Sequence, residues 1–152
     1  MIKQLESKLL ILHPGGKRRS TDIVTNVMNL YADKDPKVMQ ALESLNGFTA
    51  EIIEALRICD LKELSSLLER VRREQLKLHP DMVNVGNLRI IDELKREGVN
   101  GVKLLGGGGP GACMLVVCID ESSQQIVQRV TQKNNVRVMP VQFSDQGLKI
   151  NF

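Results

Sequence analysis

Two textures alternate along the chain: short apolar runs closed by glycine or proline, and longer stretches with apolar residues at every third or fourth position. The run KLLILHP (8–14) ends in Pro14-Gly15-Gly16 and predicts a buried strand. A basic loop, GGKRRSTD, follows. Ser20 or Thr21 supplies a helix N-cap there, and Asp22 suits the positive end of the helix dipole. The predicted helix Thr21–Ala32 places Ile23, Val27, Leu30 and Tyr31 on one face. After DKDP, Val38, Ala41, Leu42, Leu45, Ile52 and Leu56 mark a longer helix. Asp60 caps the next, in which Leu61, Leu64, Leu68, Val71 and Leu78 form the apolar stripe. Its other face carries Glu69, Arg70, Arg72, Arg73, Glu74 and Lys77 and reads as solvated surface. HPDMVN interrupts the pattern, and a shorter helix over 87–97 stops at Gly98.

The second half turns to β. GVKLL and ACMLVVCI are strands joined by the loop GGGGPG. ESSQQIVQRVTQKNN is an amphipathic helix with Ile126, Val127 and Val130 inward, and VRVMPVQF is a last strand. A turn at 145–147 precedes the short run LKINF, and there is no repeat or low-complexity linker. The order β, helices, β, β, α, β is a split βαβ, ferredoxin-like plan with its first crossover expanded into several helices. The expected fold is therefore α+β, one domain over 1–152, with an antiparallel sheet covered by helices on one face.

Composition narrows the function classes. Aromatic residues make up 3%, with no Trp, one Tyr and three Phe, so the core is aliphatic and base stacking is a poor mode of recognition. A formal charge of +3 is too mild to point to nucleic acid. The three cysteines, Cys59, Cys113 and Cys118, form no CxxC pair, which fits a reduced, cytoplasmic protein rather than a disulfide scaffold or a zinc site. MIKQLESK has no signal-peptide hydrophobic region, and the longest apolar run, 112–119, is too short to cross a bilayer. The expectation is a soluble protein with neither nucleic acid nor membrane as partner. His13 and His79 each precede a proline, and neither has a partner at metal-ligand or triad spacing.

The glycine loop is the main chemical signal. Glycines accept positive φ and let backbone approach a ligand, and successive N–H groups can form an anion-binding concavity. Lys103 lies just before the loop and adds a charge, although the sequence leaves open which side of the strand it faces. GGGGPG is not GxxxxGK[ST], and a strand follows it, so the helix dipole of phosphate-binding loops is missing. Pro110 also removes one donor and restricts Gly109. A plain hairpin loop is one reading. Five glycines in six positions cost more conformational entropy than a hairpin needs, which favours a functional one.

GVNGVKLLGGGGPGACMLVV resembles the third signature of the GHMP small-molecule kinases, approximately K-L-x-G-A-G-G-G-G followed by an apolar strand. Lys103, Leu104, Gly106, Gly108, Gly109 and Gly111 match it, while Gly107 replaces the usual Ala and Pro110 a Gly. LLILHPGGKRRSTDIV is similar to LLLxYTGxxRxxxxIL of the heptose-phosphate kinase and fucokinase branch, with Gly15 and Arg18 in register and His13-Pro14 in place of Tyr-Thr. The resemblance covers nearly the whole chain, but only as the C-terminal half of such an enzyme.

The resemblance implies that Gly106, Gly107, Gly108, Gly109 and Gly111 wall the nucleotide-phosphate side of an active-site cleft. Arg18 and Lys17, with Arg19 and Lys103 near them, would lie toward a sugar or sugar phosphate. Without the family context the basic trio reads equally as a solvated loop. In the family an N-terminal domain carries the ATP loop P-x-x-x-G-L-G-S-S and the usual catalytic Asp, and this sequence contains no such loop. No catalytic residue, Mg²⁺ ligand or cofactor is expected from this chain alone; ATP and Mg²⁺ belong to a complete kinase. The expected partner is an N-terminal kinase domain or subunit. The competing expectation is a non-catalytic module that binds a metabolite or forms a homodimer.

Overall fold

Polar caps set most of the helix starts. Asp35 accepts from the amides of Lys37 and Val38 at 3.0 and 2.9 Å, and Pro36 occupies the first helical position. Asp60 accepts from Lys62 and Glu63 at 3.1 and 2.9 Å, and Asn84 accepts from Asn87 at 2.8 Å. Asp120 and Ser123 close a reciprocal capping box. Hydrogen bonds from Ser123 hold the Asp120 carboxyl below the usual carboxylate range.

The computed structural model describes residues 2–16, 21–109, 111–144 and 146–147. Its elements are α1 (Ile2–Lys8), β1 (Leu9–His13), α2 (Thr21–Ala32), α3 (Pro36–Arg57), α4 (Leu61–Leu78), a 3-10 turn (Pro80–Met82), α5 (Val85–Arg96), β2 (Val102–Leu104), β3 (Met114–Val117), α6 (Glu121–Lys133) and β4 (Arg137–Pro140). Ser20 as a cap, the turn beginning at Asp145 and the run 148–152 lie outside the described residues. Among the described residues, no helix is long and apolar enough to cross a membrane.

The sheet is four-stranded and antiparallel, in the order β2-β3-β1-β4. With β1 and β3 central, it follows the split βαβ plan read from the sequence. Side chains alternate across it. Leu12, Val102, Leu104, Met114 and Val116 face one side and are fully buried, in one cluster with Ile90, Ile91 and Leu94 of α5 and Val127 and Val130 of α6.

The helices are not confined to that face. Leu9 and Val117, on the other side, pack against Leu5 of α1, Ala55 of α3 and Leu64, Leu67 and Leu68 of α4. Farther along this second face, Lys103, Leu115, Ile11 and Met139 form a cross-strand row that is only half-buried.

Helix α4 runs beside the edge strand β2. A methyl group on Gly101 would come within 2.7 Å of Ser65 Cα, so only glycine permits this approach. Farther on, Gln75 Nε2 donates to the Leu104 carbonyl at 3.4 Å. Because β2 and α5 both approach α4, part of its polar flank is covered. Arg70, Arg73 and Lys77 are exposed, as the expected solvated face requires, but Glu69 and Arg72 are not, which corrects the expectation for those two. Glu69 and Arg72 are 8% and 5% exposed. Glu69 accepts from Arg72 at 2.5 Å, from Arg73 at 3.1 Å and from Lys95 of α5 at 2.9 Å. Burial alone would raise the Glu69 carboxyl; the hydrogen bonds from Arg72, Lys95 and Arg73 outweigh it and hold the group below its usual value. A depressed carboxyl stabilises the fold above its unfolded-state value, and this contribution fades as pH falls through the folded-state value.

Tyr31 also departs from expectation and is 48% exposed. At 3.6 residues per turn it lies about 80° around α2 from Ile23, beyond the stripe that Ile23, Val27 and Leu30 press on the core.

Candidate functional site

The glycine loop connects β2 to β3 and starts from a narrow neck, where the Leu105 amide donates to the Cys113 carbonyl at 2.9 Å. Gly106, Gly108, Gly109 and Gly111 all have positive φ, between 67° and 83°, which disfavours any residue with a Cβ. The inner part of the run turns into the protein. Gly109 N–H donates to the Met82 carbonyl at 2.7 Å, and Ala112 N–H to Gly109 O at 3.1 Å. A methyl group on Gly108 would lie 2.3 Å from Met82 O and 2.6 Å from its sulfur. Asn87, 1% exposed, braces the loop from behind by donating from Nδ2 to the Ala112 carbonyl at 3.2 Å. Part of the glycine excess thus answers to packing on the 3-10 turn.

The outer part differs. Gly106 is exposed and Gly107 half-buried. Among the described residues, neither amide donates to a protein acceptor. Both border an apolar pocket of ≈ 170 Å³ lined by Val24, Val27 and Met28 of α2 with Leu78 and Met82. Gln75 also lines it, and its Oε1 is buried with no hydrogen-bond partner among the described residues.

The first block meets the glycine loop in space. A methyl group on Gly16 would lie 3.8 Å from Gly111 Cα, so segments far apart in sequence lie side by side. Gly15 and Gly16 have φ of 81° and 100°, which turns the chain at the end of β1. Lys17, Arg18, Arg19 and Pro110 lie outside the described residues. Lys103 faces the half-buried side of the sheet, with its Nζ donating to the Leu104 carbonyl at 2.9 Å. Burial among Leu115 and its neighbours lowers its pKa from the ordinary lysine value.

Other polar groups gather nearby. His79 Nδ1 accepts from the Asp81 amide at 3.0 Å, leaving Nε2 to carry the proton of the neutral ring. Asp22, Asn26, His79, Asp81 and Asn84 rim a cleft of ≈ 380 Å³. Sequence reasoning missed Met82, Asn87 and this rim. Asn84 carried a readable signal as an Asn just before the apolar period of α5, and Asp22 as an acidic residue in the first turn of α2, but neither pointed to a shared cleft.

No protein-family model matches the chain. Over 135 residues it is 24% identical to the bifunctional fucokinase/GDP-fucose pyrophosphorylase of Arabidopsis thaliana, an alignment that takes in 87% of this chain and 12% of that protein. Its backbone superposes on L. major mevalonate kinase, solved in complex with R-mevalonate, with a TM-score of 0.74 at 15% identity, covering 87% of this chain and 40% of that one. The fold is that of a GHMP-kinase C-terminal domain. Streptococcus pneumoniae phosphomevalonate kinase, solved with phosphomevalonate and AMPPNP, gives a TM-score of 0.65 at 13% identity over 88% of this chain and 39% of that one. The chain therefore spans well under half the length of the proteins it matches.

Proposed function

We propose that this GHMP C-terminal-like domain is the substrate and phosphate-pocket half of an ATP-dependent sugar or sugar-phosphate kinase, and that it acts with an N-terminal ATP-binding domain. The observation that carries the reading is the close approach of Gly16 to Gly111, which brings both family-like blocks together. In this reading the open amides of Gly106 and Gly107 face the phosphate end of the nucleotide, where backbone donors stabilise anionic oxygen. Arg18 and Lys17 grip the substrate's anionic or hydroxyl oxygens, and Lys103 contributes a further cation near the loop.

Among the described residues, no three His, Cys, Asp or Glu side chains converge in a metal-binding arrangement. In this reading the partner domain, which carries the ATP loop, also supplies the ligands of the Mg²⁺ that accompanies ATP. The exposed stripe Val24, Met28 and Tyr31 on α2 adjoins the glycine loop and offers an apolar surface for that partner.

The test mixes the chain with a polypeptide from the same source that carries a P-x-x-x-G-L-G-S-S loop and measures sugar-dependent ATP consumption. Activity from the mixture, absent from either half alone and lost in Arg18→Ala, is expected. A mixture that associates but never consumes ATP with any sugar or sugar phosphate overturns the enzymatic reading. Saturable metabolite binding by that inactive chain would instead establish a non-catalytic binding module.

A further inference from the structure

We propose that the cleft between the start of α2 and the segment 79–84 binds the uncharged, polyhydroxylated body of the substrate, so that this chain itself reads the sugar. The proposal rests on the kinase reading above and gives it a substrate-recognition site.

At ≈ 380 Å³ the cleft falls within the roughly 300–1,000 Å³ of small-molecule sites. Its rim offers donors and acceptors in mixed order. Asp22 and Asp81 accept only. Asn26, one turn after Asp22 on the same face of α2, does both. The His79 ring is fixed by its bond from the Asp81 amide, so Nε2–H is the group left to donate. Asn84 spends Oδ1 on the α5 cap, and its Nδ2 has no acceptor among the described residues, so the side chain keeps a donor at the edge of the cleft.

The remaining lining is apolar: Ile23 and Val83 are 5% and 7% exposed and lie among the cleft walls. A sugar ring has this same division, hydroxyls that both donate and accept around its edge and C–H groups on its faces. A phosphate does not fit. Asp22 and Asp81 bring two acceptor-only carboxylates to the lining, which suits hydroxyl donors better than the oxygens of an anion. The site therefore takes the hydroxylated body and leaves any phosphate to the glycine and basic loops.

The experiment titrates the full chain, ¹⁵N-labelled, with L-fucose, D-glucose, methylammonium and inorganic phosphate, each to about 50 mM, since a half-open site of this size binds at millimolar level. The expected result is saturable shifts at Asn26, Asp81 and Asn84 with at least one neutral sugar and none with methylammonium or phosphate. Asp81→Asn and Asn26→Ala should each weaken that binding about five- to tenfold, the loss of one hydrogen bond, with an unchanged thermal melt.

Absence of saturable shifts, stronger binding of either ion, or sugar shifts confined to another surface overturns the proposal. If binding fails while the two-domain mixture still shows sugar-dependent ATP consumption, the sugar is read by the other domain and the kinase reading stands.

Discussion

The two halves of one glycine run are built for opposite ends. Gly108, Gly109 and Gly111 are buried, and the loop's backbone is hydrogen-bonded to Met82 and braced by Asn87. Gly106 is exposed and Gly107 half-buried beside an apolar pocket, and neither amide donates to an acceptor among the described residues. The lesson is that a glycine-rich stretch is not one functional unit. The inner half fixes the loop to the fold by close approach, and the donor role proposed for the outer half relies on that anchoring.

Substitutions can break this division, and their expected effects fall in order. Gly108→Ala should be the most damaging. Its Cβ would overlap the Met82 carbonyl and its φ is strained, so a loss of about 3 kcal/mol or more is expected, measurable by urea denaturation. A wild-type midpoint would refute the packing role of the inner half.

Asn87→Ala removes a buried donor and leaves the Ala112 carbonyl unpaired; about 2 kcal/mol is expected. Gly106→Ala, at positive φ but exposed, should cost about 1 kcal/mol in the same assay. Gly107→Ala should change stability by less than about 0.5 kcal/mol, because Gly107 is not among the positive-φ glycines and the resembled signature places Ala there. A large loss at Gly107 would show that the outer half is also structural.

Lys103→Met sharpens the comparison from the neighbouring strand. Replacing a half-buried ammonium beside Leu115 by an apolar chain should raise the melting temperature by about 2–4 °C, equivalent to about 1 kcal/mol, while lowering activity in the reconstituted kinase. A variant that is both stable and fully active would remove Lys103 from the site.

Much of the architecture was legible because it depends on local period and local caps. The stripe of α4, the cap at Asp60 and the helix end at Gly98 all stand where the sequence pattern puts them. What escaped depends on partners distant in sequence. The glycine at 108 is required by Met82, and the burial of Glu69 by Lys95, neither of which any window of periodicity contains. Helix α1 went unread because its seven residues bury one side chain, Leu5, and so show no stripe. The cleft rim was illegible for the same reason as the glycine contact: Asp22 and Asp81 meet only after the fold has closed.

The strand order carries a consequence for biosynthesis. β1 precedes every other strand in the chain, yet its partners β3 and β4 begin about a hundred residues later. On the ribosome, Leu9–His13 emerges well ahead of β3 and β4 and waits through α2, α3, α4 and α5 for these two native neighbours. An unpaired apolar strand is a template for wrong association, so this ordering makes the α3–α4 hairpin, which is local in sequence and packs over the Leu9 end of the strand, a shield for the nascent chain.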